Sequence, residues 1–311
     1  MNVMWFKTIL RREAAQPERI QLFNEAFLQR LSRLSLQAQQ TLRGRPSIGD
    51  HLSRRQLPTT IFSDHRPYSA GDDYRYVDWN AYAHQDEMFI KLGEIEQNVT
   101  VHLLLDMSRS MDWGKPKKLH SMLQLGAAFG YLALTHHDRL IVQPFGAALM
   151  QPFGPTHGTA RIVDLLRFLE AQQLTQTTAL QPTLQRYAAQ HGNGGLLILC
   201  SDLLTPEGLE ESLRMLTAPR WQVLVLHIID PKELQPETND MLELEDAETG
   251  QRLAISLDEE TLALYQRKLN TWQESIRHAC GRRGATYAPI LTSWPIEQQV
   301  VPYLRARRIL C

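Results

Sequence analysis

Three stretches of this chain are apolar almost without interruption over the length of a strand: "VTVHLLL" (99–105), "GGLLILC" (194–200) and "WQVLVLHII" (221–229). A strand with one wet face alternates apolar and polar residues, so runs like these need cover on both faces. Segments with helical spacing lie between and around them, at about 115–137, 158–171, 179–190 and 207–217. Buried strands alternating with helices predict an α/β fold, a mostly parallel sheet with helices on both faces. "RLIVQPF" (139–145) and "ALMQPF" (148–153), with Gly146 between them, read as a strand pair joined by a tight turn. "LELEDAETGQRLAI" reads as a hairpin turning at Thr249-Gly250, and an amphipathic helix follows over about 258–280. Both are expected in an insertion at about 231–283, outside the sheet, with a strand at 285–291 at or near its edge and a last helix near 296–307.

Upstream, residues 17–43 place apolar side chains on one helical face, with Pro17 near the start and Gly44 just past the end. Residues 44–98 mix turn formers (Pro67, Gly71, Asp72, Asp73) with aromatics and read as an ordered, loop-rich segment. Hence residues 1–98 are expected to form a helical and loop-rich N-terminal segment, and residues 99–308 the α/β domain.

Composition narrows the function. With 33 basic and 34 acidic residues the net charge is −1, which gives no support to a nucleic-acid or membrane-surface partner. Cys200, Cys280 and Cys311 are sparse and lack C-x-x-C spacing, which fits a reducing compartment. Lys7 breaks the apolar start, no cleavage signature follows, and no window reaches the ~20 apolar residues of a membrane span. A cytoplasmic protein without a membrane span is expected.

In such a sheet, ligands bind beyond the carboxyl ends of strands, near the point where strand order reverses. Three chemistry-bearing stretches fall there: Asp106-x-Ser108-x-Ser110, Thr178 in "LTQTTALQP", and Asp202 in "LLILCSDLL". Two carboxylates and three hydroxyls are hard oxygen donors, suited to a small divalent cation, Mg2+ first. Two carboxylates roughly neutralise the ion and neutral hydroxyls leave it electrophilic, so an acidic residue of a partner can complete its shell. The plain alternative is that Ser and Asp cap the following helix. Asp106 is expected at an exposed strand end.

The same residues resemble the metal-ion-dependent adhesion site of von Willebrand factor A domains. "HRPYSAGDDYRYVDWNAYAHQDEMFIK" followed by "LLLDMSRSM", "LCSDLL", "HIIDPKEL" and "LELEDAETGQRL" resembles the bacterial family known as domain of unknown function 58, over roughly residues 44–308. That resemblance implies a Rossmann-type sheet with an antiparallel edge strand. It implies direct metal contacts from Ser108, Ser110 and Thr178, with Asp106 and Asp202 often acting through water. It also implies a non-enzymatic, chaperone-like or adaptor role beside a MoxR-type AAA+ ATPase. Two departures stand out: "TAL" (178–180) replaces the family's usual Thr-Asp-Leu, and Asp112 is additional. Many relatives also carry N-terminal membrane spans that are not seen here.

A magnesium-dependent phosphatase of the haloacid-dehalogenase type is the main competing reading. Its D-x-D signature needs a second acid to protonate the leaving group, and Ser108 stands at that position. A serine hydrolase would need G-x-S-x-G, which is absent. Other motifs read as structural. "GDDYRYVDWN" is expected to be a loop fastened by ion pairs and by packing of Tyr74, Tyr76 and Trp79. "THHDRL" should be a polar helix-to-strand turn, Cys200 a buried small hydrophobe, and "GKPKK" (114–118) the start of a solvated helix.

Overall fold

The structure, a computed structural model, describes residues 64–69, 72–85, 87–94, 99–205, 208–236 and 259–307, with short stretches at 8–10, 22–23, 27, 29, 56–58, 242–246 and 252–255. The chain divides into two compact units, residues 1–40 with 99–310, and residues 41–98. Of the helix expected over 17–43, Phe27 and Gln29 are helical and the rest lies largely outside the described residues, as does the hairpin turn at Thr249-Gly250.

The first four strands are β1 (Thr8–Leu10), β2 (Gln56–Pro58), β3 (Asp64–Pro67) and β4 (Phe89–Glu94). Then come β5 (Thr100–Asp106), β6 (Arg139–Phe145), β7 (Phe153–Thr156) and β8 (Gly195–Ser201). The last four are β9 (Trp221–Ile229), β10 (Leu242–Asp246), β11 (Arg252–Ile255) and β12 (Thr286–Leu291). The helices used below are α1 (Trp79–Gln85), α2 (Lys118–Thr135), α3 (Ile162–Glu170), α4 (Leu180–Gln190), α5 (Leu209–Ser212), α6 (Pro231–Leu234), α7 (Glu259–Arg282) and α8 (Val301–Ala306).

The larger unit is built on a six-stranded sheet in the order β12-β9-β8-β5-β6-β7, parallel except for β7. The three apolar runs sit side by side as β9, β8 and β5, each buried along nearly its whole length. Successive side chains of β5 serve opposite faces. Leu104 joins Leu197, Leu199 and Val225 in a core closed by Leu184 and Tyr187 of α4 and Ile276 and Cys280 of α7. Leu103 and Leu105 meet α2, whose Gly126 and Gly130 admit close approach. A Cβ on Gly130 would lie 2.6 Å from a Leu165 methyl of α3. Helices therefore cover both faces.

Three details differ from the sequence reading. The partner of β6 begins later, at Phe153. Residues 145–150 instead turn tightly, with a bridge between Phe145 and Leu149. Regular helix over 207–217 is limited to α5, although the turns that follow still bury Leu213 and Leu216. The hairpin β10–β11 does lie outside the main sheet, but β1 pairs with β10 to make a third strand. The short sequence around β1 carries no periodicity that would announce this.

Residues 41–98 hold more regular structure than a loop-rich segment. β2, β4 and β3 form an antiparallel sheet in that order, with a short 3₁₀ turn (Tyr74–Tyr76) and α1 beside it. The expected ion pairs are present, Arg66–Asp72 at 2.8 Å and Arg75–Asp73 at 2.6 Å. The expected packing holds for Tyr76, which lies against buried Val77 and Ile90. It does not hold for Tyr74 and Trp79, which are exposed. "THHDRL" is a turn in which Asp138 accepts from the Val99 amide, and Cys200 is fully buried, its thiol pushed up to about 12 by burial.

Candidate metal centre

The chain runs from β5 to β6 on one side of the sheet and later crosses to β8 on the other, so strand order reverses between β5 and β8. Asp106 is the last residue of β5 and Asp202 follows the last residue of β8. Both carboxylates thus stand at the crevice this topology creates.

Around them the polar side chains are buried and bonded to one another. Asp106 accepts from the Ser108 amide at 3.0 Å through Oδ1 and from the Ser201 hydroxyl at 2.6 Å through Oδ2. The Ser108 and Ser110 hydroxyls are 3.0 Å apart, and Ser110 bonds in turn to Asp202. Asp106, expected at an exposed strand end, is completely buried, its carboxylate bonded to the loop after β5 through Ser108 and to the end of β8 through Ser201, while Thr175 bonds to the adjoining Met107 carbonyl. Thr178 reaches the same end of the sheet by a different route. Its segment is fastened by the Thr175 amide to the Met107 carbonyl (2.6 Å) and by the Ala179 amide to the Gly146 carbonyl (3.1 Å). The Thr178 hydroxyl is buried and has no hydrogen-bond partner. An unsatisfied buried hydroxyl is uncommon and asks for a reason.

Asp112, the additional acid, turns to Lys117 at 2.6 Å. Among the described residues no three His, Cys, Asp or Glu gather as a metal-holding group. The donor set here is instead rich in hydroxyls.

Two carboxylates in so small a buried space oppose each other. Burial, with the Asp202 charge added, pushes the Asp106 carboxyl up to about 6. Burial also works against ionised Asp202, but the Lys118 charge and hydrogen bond outweigh it and hold the carboxyl below the usual value.

Lys118 corrects the sequence reading outright. "GKPKK" is not wholly solvated: Lys118 opens α2 with its side chain 1% exposed. Its ammonium donates to Asp202 Oδ2 and to Glu233 Oε1, each at 2.7 Å. Glu233 belongs to α6, where its other oxygen accepts from the Asp230 amide and Asp230 Oδ1 caps the Lys232 amide. Asp230 Oδ2 accepts from Thr292 at the end of β12. Gly114, with φ +97°, lies against that carboxylate where a side chain would collide.

Leu203 adds strain next to the site. Its φ of 57° places a non-glycine residue in the left-handed region directly after Asp202, at a cost of about 1–2 kcal/mol. The Ser201 hydroxyl holds it by accepting from the Leu203 amide at 2.9 Å, while the Leu204 amide donates to Asp202 Oδ1. Sequence reasoning missed Lys118, Ser201, Glu233 and Leu203. The sole hint was that an acid, Asp230, follows β9 as Asp202 follows β8.

Comparison with known proteins places the chain. The family model described as "Protein of unknown function DUF58" matches residues 64–275, more than half of the sequence. The chain belongs to this family. It is 24% identical over 266 residues to the uncharacterized proteins Rv1480 of Mycobacterium tuberculosis and Mb1516 of Mycobacterium bovis, covering 84% of this chain and 83% of each relative. A crystal structure of the conserved hypothetical protein BatB from Bacteroides thetaiotaomicron aligns with a TM-score of 0.41 at 17% identity, over 68% of this chain and 98% of that one.

Proposed function

We propose that this DUF58 protein is a metal-dependent protein-docking module with a von Willebrand factor A-like site, in which Asp106, Ser108, Ser110, Thr178 and Asp202 hold a divalent cation, Mg2+ first. The observation that carries this reading is the unpartnered, buried Thr178 hydroxyl, on a segment that Thr175 fastens to Met107 next to Asp106, at the sheet end that holds two mutually opposed carboxylates and a serine pair. A hard cation would supply what each group lacks: a positive neighbour for Asp106 and a partner for Thr178. When bound, the ion offers an open position to an anionic oxygen. The residues of the chain do the rest. Ser201 and the Ser108 amide fix the Asp106 carboxylate, and the Thr175–Met107 bonds hold Thr178 in place.

A docking role suits the site better than hydrolysis of a phosphoester. Ser108 stands where the proton-donating acid would be needed. No membrane-crossing helix is present among the described residues. The partner we propose is a MoxR-type AAA+ ATPase that presents an Asp or Glu, with this chain acting as its adaptor in assembly or remodelling.

The test is a binding assay between the full chain and such an ATPase. Binding is expected in Mg2+, lost in EDTA, restored by Mg2+, and absent for the Ser108→Ala, Ser110→Ala double variant. Equal binding with and without EDTA would remove the metal bridge from the mechanism. Asp106-dependent release of phosphate from simple phosphoesters would replace docking by catalysis.

A further inference from the structure

The buried ammonium of Lys118 is a cation that the protein carries into the metal centre itself. It sits 2.7 Å from Asp202, one of the two carboxylates of the candidate site, and 2.7 Å from Glu233, which lies outside it on α6. Lys118 and Asp202 are 1% and 2% exposed, so neither charge is relieved by solvent, whereas Glu233 keeps 25% exposure. At such distances in a protein interior, charges interact far more strongly than at a surface.

From this arrangement we propose that Lys118 is a positioning and charge-balancing residue of the metal centre, shared between Asp202 and Glu233. Glu233 then governs how strongly the site holds a divalent cation. This rests on the metal reading above and goes beyond it. Asp106, Asp202 and Glu233 bring three negative charges and Lys118 returns one positive charge, shared between Asp202 and Glu233. The share that falls on Asp202 leaves a divalent ion under-neutralised by its own two carboxylates. The ion is held loosely by the chain alone and more firmly when a partner carboxylate arrives, so the affinity for the partner and for the ion rise together.

Glu233 acts in the opposite sense. It draws the ammonium away from Asp202 and leaves that carboxylate freer for the metal side. Because Glu233 is locked into the Asp230 cap at the C-terminal end of β9, movement of α6 changes the division of Lys118 between its two acids. The segment that carries α6 continues into the β10–β11 hairpin and α7, so a contact made there has a physical route to the metal.

The proposal predicts opposite signs for two substitutions, which a purely structural role would not give. Mn2+ or Mg2+ binding to the full-length chain is measured by titration calorimetry, with thermal melts to confirm folding. Lys118→Met, which keeps the apolar stem, is expected to tighten metal binding by about tenfold or more. Glu233→Gln, which keeps an acceptor for the Asp230 amide, is expected to weaken it several-fold, since Lys118 then belongs to Asp202 alone. Wild-type binding with both variants unchanged, or both weakened, overturns the role of Lys118 while leaving the metal site standing. No metal binding to the folded wild type overturns the metal reading and this inference with it. If Lys118→Met does not fold, Glu233→Gln decides alone: weaker binding supports the proposal, and unchanged or tighter binding overturns it.

Discussion

Two ion pairs of almost equal length do different things in this molecule. Lys118–Asp202, at the end of the central sheet, spans 2.7 Å with both side chains nearly sealed from solvent. Arg66–Asp72, in the small antiparallel unit, spans 2.8 Å with its side chains 39% and 22% exposed. The first pair must be satisfied by the protein alone, because each charge has lost its water and the loss of either partner strands the other. The second fastens a loop that water could also solvate, and salt screens it. Distance alone does not tell a charge the protein must satisfy from one that water can solvate. Burial and the company of other charges do.

The contrast can be broken most readily at Lys118. In the absence of metal, Lys118→Met is expected to destabilise the fold by about 3–5 kcal/mol, read by urea denaturation, because Asp202 and Glu233 are left without their cation. A loss no larger than that of a surface substitution would mean that water reaches the pair.

The next effect is acid sensitivity. His102 lies inside β5, bonded through Nδ1 to the Tyr187 hydroxyl at 2.7 Å and packed against Trp221. Burial lowers its pKa from 6.5 to about 4, so the folded state favours the neutral ring. The unfolded chain takes up the proton first. The stability His102 contributes is therefore whole above pH 6.5 and is lost as pH falls from 6.5 towards 4, by on the order of 3 kcal/mol. His102→Gln should flatten the stability–pH curve over that window. An unchanged slope would show that the ring is hydrated.

A smaller change sharpens the comparison on the apolar side. Gly130→Ala gains about 1 kcal/mol of helix propensity but pushes a methyl against Leu165 and Leu140, where overpacking costs about 1–3 kcal/mol. A net loss of up to about 2 kcal/mol is expected in denaturant melts. The smallest effect belongs to the exposed unit. Arg75→Ala, which breaks the pair with Asp73, should leave the melting temperature within measurement error, and added salt should not widen the difference. A clear drop would put that pair in the same class as Lys118.

These differences follow what a single sequence can display. Asp106 and Asp202 were legible because unbroken apolar runs place them at strand ends, and the sheet they imply brings those ends together. The covering helices α2, α3 and α4 were legible from periodicity, whereas α7, expected in an insertion, packs Ile276 and Cys280 onto the sheet core, and regular helix over 207–217 shrinks to α5. Lys118 was not legible, since one lysine among three in "GKPKK" looks like a wet helix start until the ends of β8 and α6 are folded around it. Ser201 was hidden for the same reason: its role depends on Asp106, 95 residues away. β1 is three residues long and owes its state to β10, and β3 and β4 sit among turn formers that masked their pairing. Long-range pairing, unlike local periodicity, leaves little trace in neighbouring residues.

The claim that the strand-end cluster is a metal-dependent docking site is tested most directly by calorimetric titration of Mg2+ into the folded wild-type chain and into Asp106→Asn. That substitution keeps the size of the side chain and one oxygen to accept from the Ser108 amide, sets an NH2 group against the Ser201 hydroxyl, which can turn to accept from it, and removes the charge. One ion bound per wild-type chain, with binding lost or strongly weakened in Asp106→Asn, is the expected result. Equal affinity in the two proteins, or no binding to the wild type, would contradict it.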